Sequence, residues 1–256
     1  MMEMKLLENK NVIVTGTSRG MGKKMVEMFA QHGANVFAHA RKDTEEHREF
    51  CRKVTDENGV QVIPVYFELT EPEQIKEGVK KIRETQLAID GLVNNAGVIY
   101  NALFQMTDMT ELRKLFEVNF FAPYLFTQYV LKLMVRNKKG SIVNVSSVAA
   151  LDGNAGKSAY GASKAAFLCM TLSIAEELGT QGIRANIICP GATETEMLDT
   201  MSENILDIQK EASFLKKMGN TKDIAGTALY LLSDYSSYIT GQVFRVDGGI
   251  TEYDKR

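Results

Sequence analysis

Short β-branched apolar runs alternate along this chain with longer stretches in which apolar residues recur every three to four positions. The runs at 11–15, 35–39, 61–66, 89–93, 141–145, 183–189 and 242–246 predict strands. The periodic stretches at 23–31, 43–58, 72–86, 108–137, 158–179 and 221–232 predict helices, the first stopped by Gly33. Strands alternating with helices at this spacing imply an α/β fold, a doubly wound parallel sheet covered on both faces, with ligands at the carboxyl ends of its strands. No linker, low-complexity tract or internal repeat interrupts the alternation, so residues 1–256 read as one domain. A helical insert at 194–218 stands apart as a lid. Its Met197, Leu198, Met201, Ile205, Leu206, Ile208 and Phe214 follow roughly helical spacing, a pattern of core packing or of an adaptable apolar pocket.

The chain has 256 residues, 45% hydrophobic and 24% charged, with a net charge of -2, enough for one full core. That balance gives no bulk attraction to nucleic acid or to an anionic membrane. Cys51, Cys169 and Cys189 are too scattered for a zinc site or a disulfide framework, and no metal is expected. The polar start and the lack of any run of ~20 apolar residues predict a soluble, cytoplasmic protein.

The first strand runs into TGTSRGMG at 15–22, where Gly16, Gly20 and Gly22 lead into a helix. Such a turn lets the backbone approach a diphosphate, which meets the unpaired N–H groups and positive dipole end of the helix N-terminus. The second strand ends in His39, Ala40, Arg41 and Lys42. A dinucleotide lacking a 2′-phosphate is usually held there by an acid, whereas a 2′-phosphate needs cations. Arg41, with Arg19 in the turn, therefore argues for NADPH. The bland reading is that Arg41 and Lys42 merely begin a solvated helix.

In SSVAALDGNAGKSAYGASK at 146–164, Tyr160 and Lys164 stand four residues apart amid small side chains. On a helix they share a face. A phenol titrates near pH ~10, so a nearby ammonium that stabilises its phenolate turns it into a usable proton donor. Ser147, from a strand end, is suited to hold a carbonyl oxygen for that proton. The fourth strand ends in Asn94, Asn95, Ala96 and Gly97, where small residues suit close approach of an adenosine and Asn94 suits pinning of neighbouring strands. Asn119 lies in mid-helix, where a buried amide must find partners by binding water or bending the helix. A water held there would connect Lys164 and Tyr160 to solvent. His32, His39 and His47 lie far from this group in sequence and receive no catalytic or metal role.

With these motifs, with PG at 190–191 and with VDGG at 246–249, the chain resembles the short-chain dehydrogenase/reductase family over essentially its whole length. The resemblance implies a Rossmann-type fold and a catalytic tetrad of Asn119, Ser147, Tyr160 and Lys164. Cofactor contacts are implied for Gly16, Ser18, Arg19, Gly20, Met21, Gly22, Arg41, Glu68, Leu69, Asn95, Ala96, Gly97, Tyr160, Lys164, Pro190, Gly191, Thr193 and Thr195. Glu68 departs from the family's usual Asp, which contacts adenine. A homotetramer is implied too, with 108–137 and 158–179 packing across one interface.

Within the family the chain is most similar to the 3-oxoacyl-acyl-carrier-protein reductase group, in YITGQVFRVDGG and PGATETEM. That group carries cations at the pocket mouth for an acidic carrier protein. Lys138, beside Arg136 and Lys139, matches one such position, and Gln181 replaces the other. Glu194, Glu196, Asp199 and Glu203 make the lid acidic, so a small free or sugar-linked ketone remains a rival substrate. A non-catalytic NADP-binding scaffold is the alternative from another class.

Overall fold

The computed structural model describes residues 4–194 and 203–249. In chain order the strands are β1 (Asn11–Thr15), β2 (Asn35–Ala40), β3 (Val62–Tyr66), β4 (Gly91–Asn94), β5 (Gly140–Val145), β6 (Ile183–Pro190), β7 (Thr193–Glu194), β8 (Gly219–Asn220) and β9 (Val243–Val246). The α-helices are α1 (Gly20–Gln31), α2 (Glu45–Asn58), α3 (Pro72–Glu84), α4 (Met109–Phe116), α5 (Ala122–Asn137), α6 (Ala149–Asp152), α7 (Ser158–Leu178), α8 (Glu203–Ala212) and α9 (Thr221–Leu232). Seven strands form one parallel sheet in the order β3-β2-β1-β4-β5-β6-β9, and β7 pairs with β8 apart from it. The strand order reverses between β1 and β4, which opens a crevice at their carboxyl ends.

Alternation along the strands feeds two cores. Val12 and Val14 face Met25, Phe29, Ile224 and Leu229 on one side of the sheet. Ile13 faces Ile75, Ile82, Phe126 and Val130 on the other. All these side chains are buried, and each contributes about 1.5–3 kcal/mol relative to exposure. The helix limits follow local chemistry. Thr44 accepts from the His47 amide to start α2, Gly59 ends it in the left-handed region at φ 67°, and Asn220 and Asp223 form a capping box on α9.

The expected strand-pinning by Asn94 is present. Its Nδ2 donates to Asn144 Oδ1 at 2.8 Å and to Thr127 Oγ1 at 2.9 Å, and Asn144 Nδ2 donates to Thr171 Oγ1 at 2.8 Å. This buried ladder fastens β4 and β5 to α5 and α7. The single helix predicted at 108–137 is instead two α-helices joined by a π turn, Glu117–Phe121, centred on Asn119.

Of the predicted lid, residues 195–202, and with them Thr195, Met197, Leu198 and Met201, lie outside the described residues. Ile208 and Phe214 are exposed rather than packed in a core, as is the neighbouring Leu215. No helix among the described residues is long and apolar enough to cross a membrane.

Candidate active site

The predicted site residues converge on the carboxyl edge of the sheet. Ser147 follows β5, Tyr160 and Lys164 lie on one face of α7, and the glycine turn and the β4 end flank them. Tyr160 is 9% exposed and packs among Leu115, Ala149 and Ala159. Burial pushes its phenol above the ordinary tyrosine range, while a hydrogen bond with the Ser147 side chain pulls it back. Ser147 Oγ also accepts from the Ala149 amide at 3.2 Å.

Lys164 lies one helical turn beyond Tyr160 on α7. Its Nζ donates to the Val145 carbonyl at 2.9 Å, and burial lowers its pKa to about 8. A fully enclosed ammonium loses hydration, and one carbonyl replaces only part of it. Burial therefore dominates at Tyr160, with Ser147 as the opposing influence.

Asn119 is held by three hydrogen bonds. Its Oδ1 accepts from the Val98 amide at 2.9 Å, and its Nδ2 donates to the Val98 carbonyl at 3.0 Å and to Ser163 Oγ at 3.1 Å. Both amide hydrogens are used, while Oδ1, with one donor, keeps a second lone pair open to a water. Its work is to clamp the chain just after Gly97 and to hold Ser163, whose hydroxyl donates to the Tyr160 carbonyl at 2.8 Å. A Cβ on Gly97 would lie 3.1 Å from both Asn119 Oδ1 and Lys164 Nζ, which brings three of the predicted elements to one point.

The glycine turn is built for close backbone approach. A Cβ on Gly22 would fall 2.1 Å from the Gly16 carbonyl oxygen and 2.6 Å from Asn95 Nδ2. Asn95 Nδ2 donates to the Thr15 carbonyl at 2.9 Å, and Thr15 Oγ1 accepts from the Asn95 and Ala96 amides at 3.0 and 3.1 Å. Asn95 Oδ1 is buried without a partner among the described residues. Ser18, Arg19 and Arg41 are exposed beside this turn, whereas Met21 packs against the core and Leu69 is buried within it. Leu69 therefore has only backbone to offer a ligand. The Glu68 carboxylate faces its own loop, accepting from the Thr70 amide at 3.4 Å and reaching Arg41 at 3.9 Å.

On the far side, Pro190 ends β6 and its carbonyl accepts from the Val148 amide at 3.0 Å, while Thr193 Oγ1 donates to the Gly191 carbonyl at 3.2 Å. Arg245 on β9 grips Asp152 through two bonds of 2.7 and 2.9 Å and also pairs with Asp247, against which Gly191 lies. This clamp joins the loop after Ser147 to the Pro190–Gly191 corner.

Two features escaped the sequence reading. His39 accepts from the Gly16 amide at 3.4 Å through Nδ1 and donates from Nε2 to the Phe67 carbonyl at 2.9 Å, tying the glycine turn to the end of β3. Burial lowers its pKa to about 4, so it is a neutral strut. Lys157, one turn before Tyr160 and on the same stripe, is half-buried with no side-chain partner among the described residues. Residue type and spacing flagged neither. Lys138 requires a correction. It caps the end of α5 and sits against Gly182, next to Gln181, at the amino edge of the sheet. The six residues of β5 separate it from Ser147 by about 15–20 Å, so it is not at this chain's own pocket mouth.

The family profile described as Enoyl-(Acyl carrier protein) reductase matches residues 16–251. The 3-oxoacyl-[acyl-carrier-protein] reductase of Thermotoga maritima is 37% identical over 95% of this chain and 98% of its own. That of Chlamydia muridarum is 34% identical over 96% and 98%. The chain belongs to the short-chain dehydrogenase/reductase family. Two solved family structures superpose closely. A chain of Agrobacterium tumefaciens, provisionally assigned as a gluconate dehydrogenase, gives a TM-score of 0.92 at 26% identity, covering 97% of this chain and 98% of that one. The 3-oxoacyl-[acyl-carrier protein] reductase of Brucella melitensis gives 0.90 at 26%, covering 96% and 93%. As a family member the chain is an oxidoreductase acting between an alcohol and a ketone with a nicotinamide cofactor. The glycine cradle and the unpartnered Asn95 Oδ1 fit such a cofactor.

Proposed function

We propose that the chain reduces the ketone of a 3-oxoacyl thioester carried on an acyl carrier protein, using NADPH. The arrangement that carries the catalytic reading is the buried Tyr160 phenol beside Ser147 at the sheet's carboxyl edge, with Lys164 one helical turn beyond. Ser147 and Tyr160 hold the substrate oxygen, and Tyr160 gives it a proton as the cofactor supplies the hydride. Lys164 steadies the phenolate left behind, and Asn119 holds the loop and helix that position both. Gly16, Ser18, Gly20, Met21, Gly22, Asn95, Ala96, Gly97, Pro190, Gly191, Thr193 and Thr195, with backbone from Leu69, would hold the cofactor, and Glu68 its adenine.

The exposed Arg19 and Arg41 support NADPH over NADH, since a guanidinium pairs with a 2′-phosphate in bidentate fashion. Arg41→Asp should shift the preference towards NADH, lowering the NADPH/NADH ratio of kcat/KM by at least about tenfold, the worth of one charge-assisted hydrogen bond. An unchanged ratio would show that the phosphate lies elsewhere.

Support for the thioester comes from the named relatives and from the exposed Leu103, Phe104 and Met106 before α4 and Leu151 on α6, which suit an acyl chain. A second reading, a small free or sugar-linked ketone, is favoured by the unpaired Lys157 and by the likeness to the Agrobacterium chain. Steady-state NADPH oxidation with an acetoacetyl thioester, against small ketones and keto sugars, decides between them. Strong turnover of the thioester upholds the first reading, and turnover of other ketones alone replaces it with the second. NADPH bound without turnover on any carbonyl would leave a binding protein. Apolar residues exposed on the π turn, α5 and α7 (Phe121, Tyr124, Leu172) and in and before β9 (Val243, Tyr238) support a homotetramer.

A further inference from the structure

The elbow between β2 and α2 holds a polar chain that the proposed reaction does not use. Thr17, wholly buried, donates from Oγ1 to the His39 carbonyl at 3.0 Å. Its hydroxyl hydrogen is thereby spent, so the 2.8 Å contact with His47 Nε2 is a donation from the ring to Thr17. The other ring nitrogen, Nδ1, stands 3.2 Å from the Tyr66 hydroxyl. Asp43, which Arg48 holds from the first turn of α2, lies close enough to that hydroxyl to act on it.

Counting hydrogens separates two states. Tyr66 has one proton and two acceptors. While His47 is neutral, Nδ1 accepts from Tyr66 or from the Cys51 thiol, 3.9 Å away, and Asp43 keeps its pairing with Arg48. With an imidazolium, Nδ1 donates to Tyr66, Tyr66 donates to Asp43 and Nε2 donates to Thr17, so every donor has an acceptor.

His47 is faced by Lys23 from α1, Glu46 and Cys51 from α2, Asp43 from the preceding loop, Tyr66 from β3 and His39 from β2. Burial holds the free ring neutral at pH 7, aided by Lys23 and opposed by Asp43 and Glu46. A small cleft lined by Ser18, Lys23, Thr44, Glu46, His47 and Phe50 adjoins the glycine turn. An anion bound at Ser18 and Arg19 therefore stabilises the imidazolium.

We propose that His47 is a positioning residue that couples proton uptake to 2′-phosphate binding, its imidazolium bracing the Thr17–Ser18–Arg19 turn between Tyr66–Asp43 and the phosphate. The inference rests on the reading that Ser18, Arg19 and Arg41 receive that phosphate. Because binding raises the pKa of His47, NADPH binding takes up a proton between the free and bound values, and affinity gains up to about tenfold per pH unit there as pH falls.

Dissociation constants of NADPH and NADH, measured by nicotinamide fluorescence from pH 5.5 to 8.5, test this in the natural protein, His47→Gln, Tyr66→Phe and Arg41→Asp. Gln keeps a donor for Thr17 without titrating. The phosphate's own ionisation near pH ~6 is common to every variant and cancels in the comparison. The expected result is a NADPH/NADH affinity ratio that gains about threefold to tenfold, relative to His47→Gln, on going from pH 8 to 6. Tyr66→Phe should weaken that gain. The His47 ring resonance in the unaltered protein should titrate at higher pH with NADPH than with NADH. Coincident curves for the natural protein and His47→Gln, with the same ring titration under both cofactors, overturn the proposal. A lower ratio in Arg41→Asp then leaves the phosphate reading standing, whereas no effect of Arg41→Asp removes both.

Discussion

Replacing Tyr160 with phenylalanine is expected to lower kcat by about 10²–10⁴-fold, the usual contribution of a positioned general acid. NADPH affinity should stay within about a factor of ten, the worth of one hydrogen bond. The substitution keeps the ring that packs against Leu115, Ala149 and Ala159, so the fold has no reason to change. Ser147 retains its bond from the Ala149 amide. The pH profile gives an independent readout. In the reducing direction the site needs a protonated phenol and a charged lysine. Burial raises the phenol, so it stays protonated through neutral pH, and the limit comes from Lys164, which loses its charge as pH rises past about 8. Turnover should therefore hold below that pH and decline above it. Unchanged kcat in Tyr160→Phe would remove the phenol from the chemistry.

The second large effect is expected from Gly22→Ala. The new methyl must occupy space 2.1 Å from the Gly16 carbonyl and 2.6 Å from Asn95 Nδ2. Both are anchored, the first by its turn and the second by a bond to the Thr15 carbonyl, so neither can yield without opening the cradle. Overpacking of this kind costs about 1–3 kcal/mol, which for a chain of this size lowers Tm by roughly 2–4 °C per kcal/mol. Cofactor affinity should fall much further, by about a hundredfold or more, because the displaced turn no longer brings its amides to the diphosphate. Calorimetry and fluorescence titration check the two parts separately. Normal NADPH binding would mean that the cradle does not hold the diphosphate.

Much of this was legible in the sequence because it is local. Strand runs at 11–15 and 183–189 and the capped helix at 221–232 follow from residue type and period. The glycine turn and the stripe of Tyr160 and Lys164 need only a few neighbouring residues. What was not legible depends on contacts between distant segments. His39 and His47 look like stray histidines until β2, β3 and α2 fold around the turn. Periodicity did not reveal the π turn at Asn119, since one added residue shifts the apolar stripe without breaking it. Lys164 points at Val145, 19 residues earlier, and Arg245 at Asp152, 93 residues earlier. The distance of Lys138 from Ser147 likewise needed the direction of β5, which family position alone does not give.

The Arg245 clamp also bears on the order in which a working enzyme comes into being. Ser147, Tyr160 and Lys164 leave the ribosome well before β9, and at ~5–20 residues per second the interval lasts several seconds. Until Val243–Val246 add to the edge of β6, Asp152 has no guanidinium to hold and the loop after Ser147 lacks its anchor to the Pro190–Gly191 corner. The last of the described strands is thus the one that completes the proposed site, and a nascent chain carries the proposed catalytic residues before it carries their geometry.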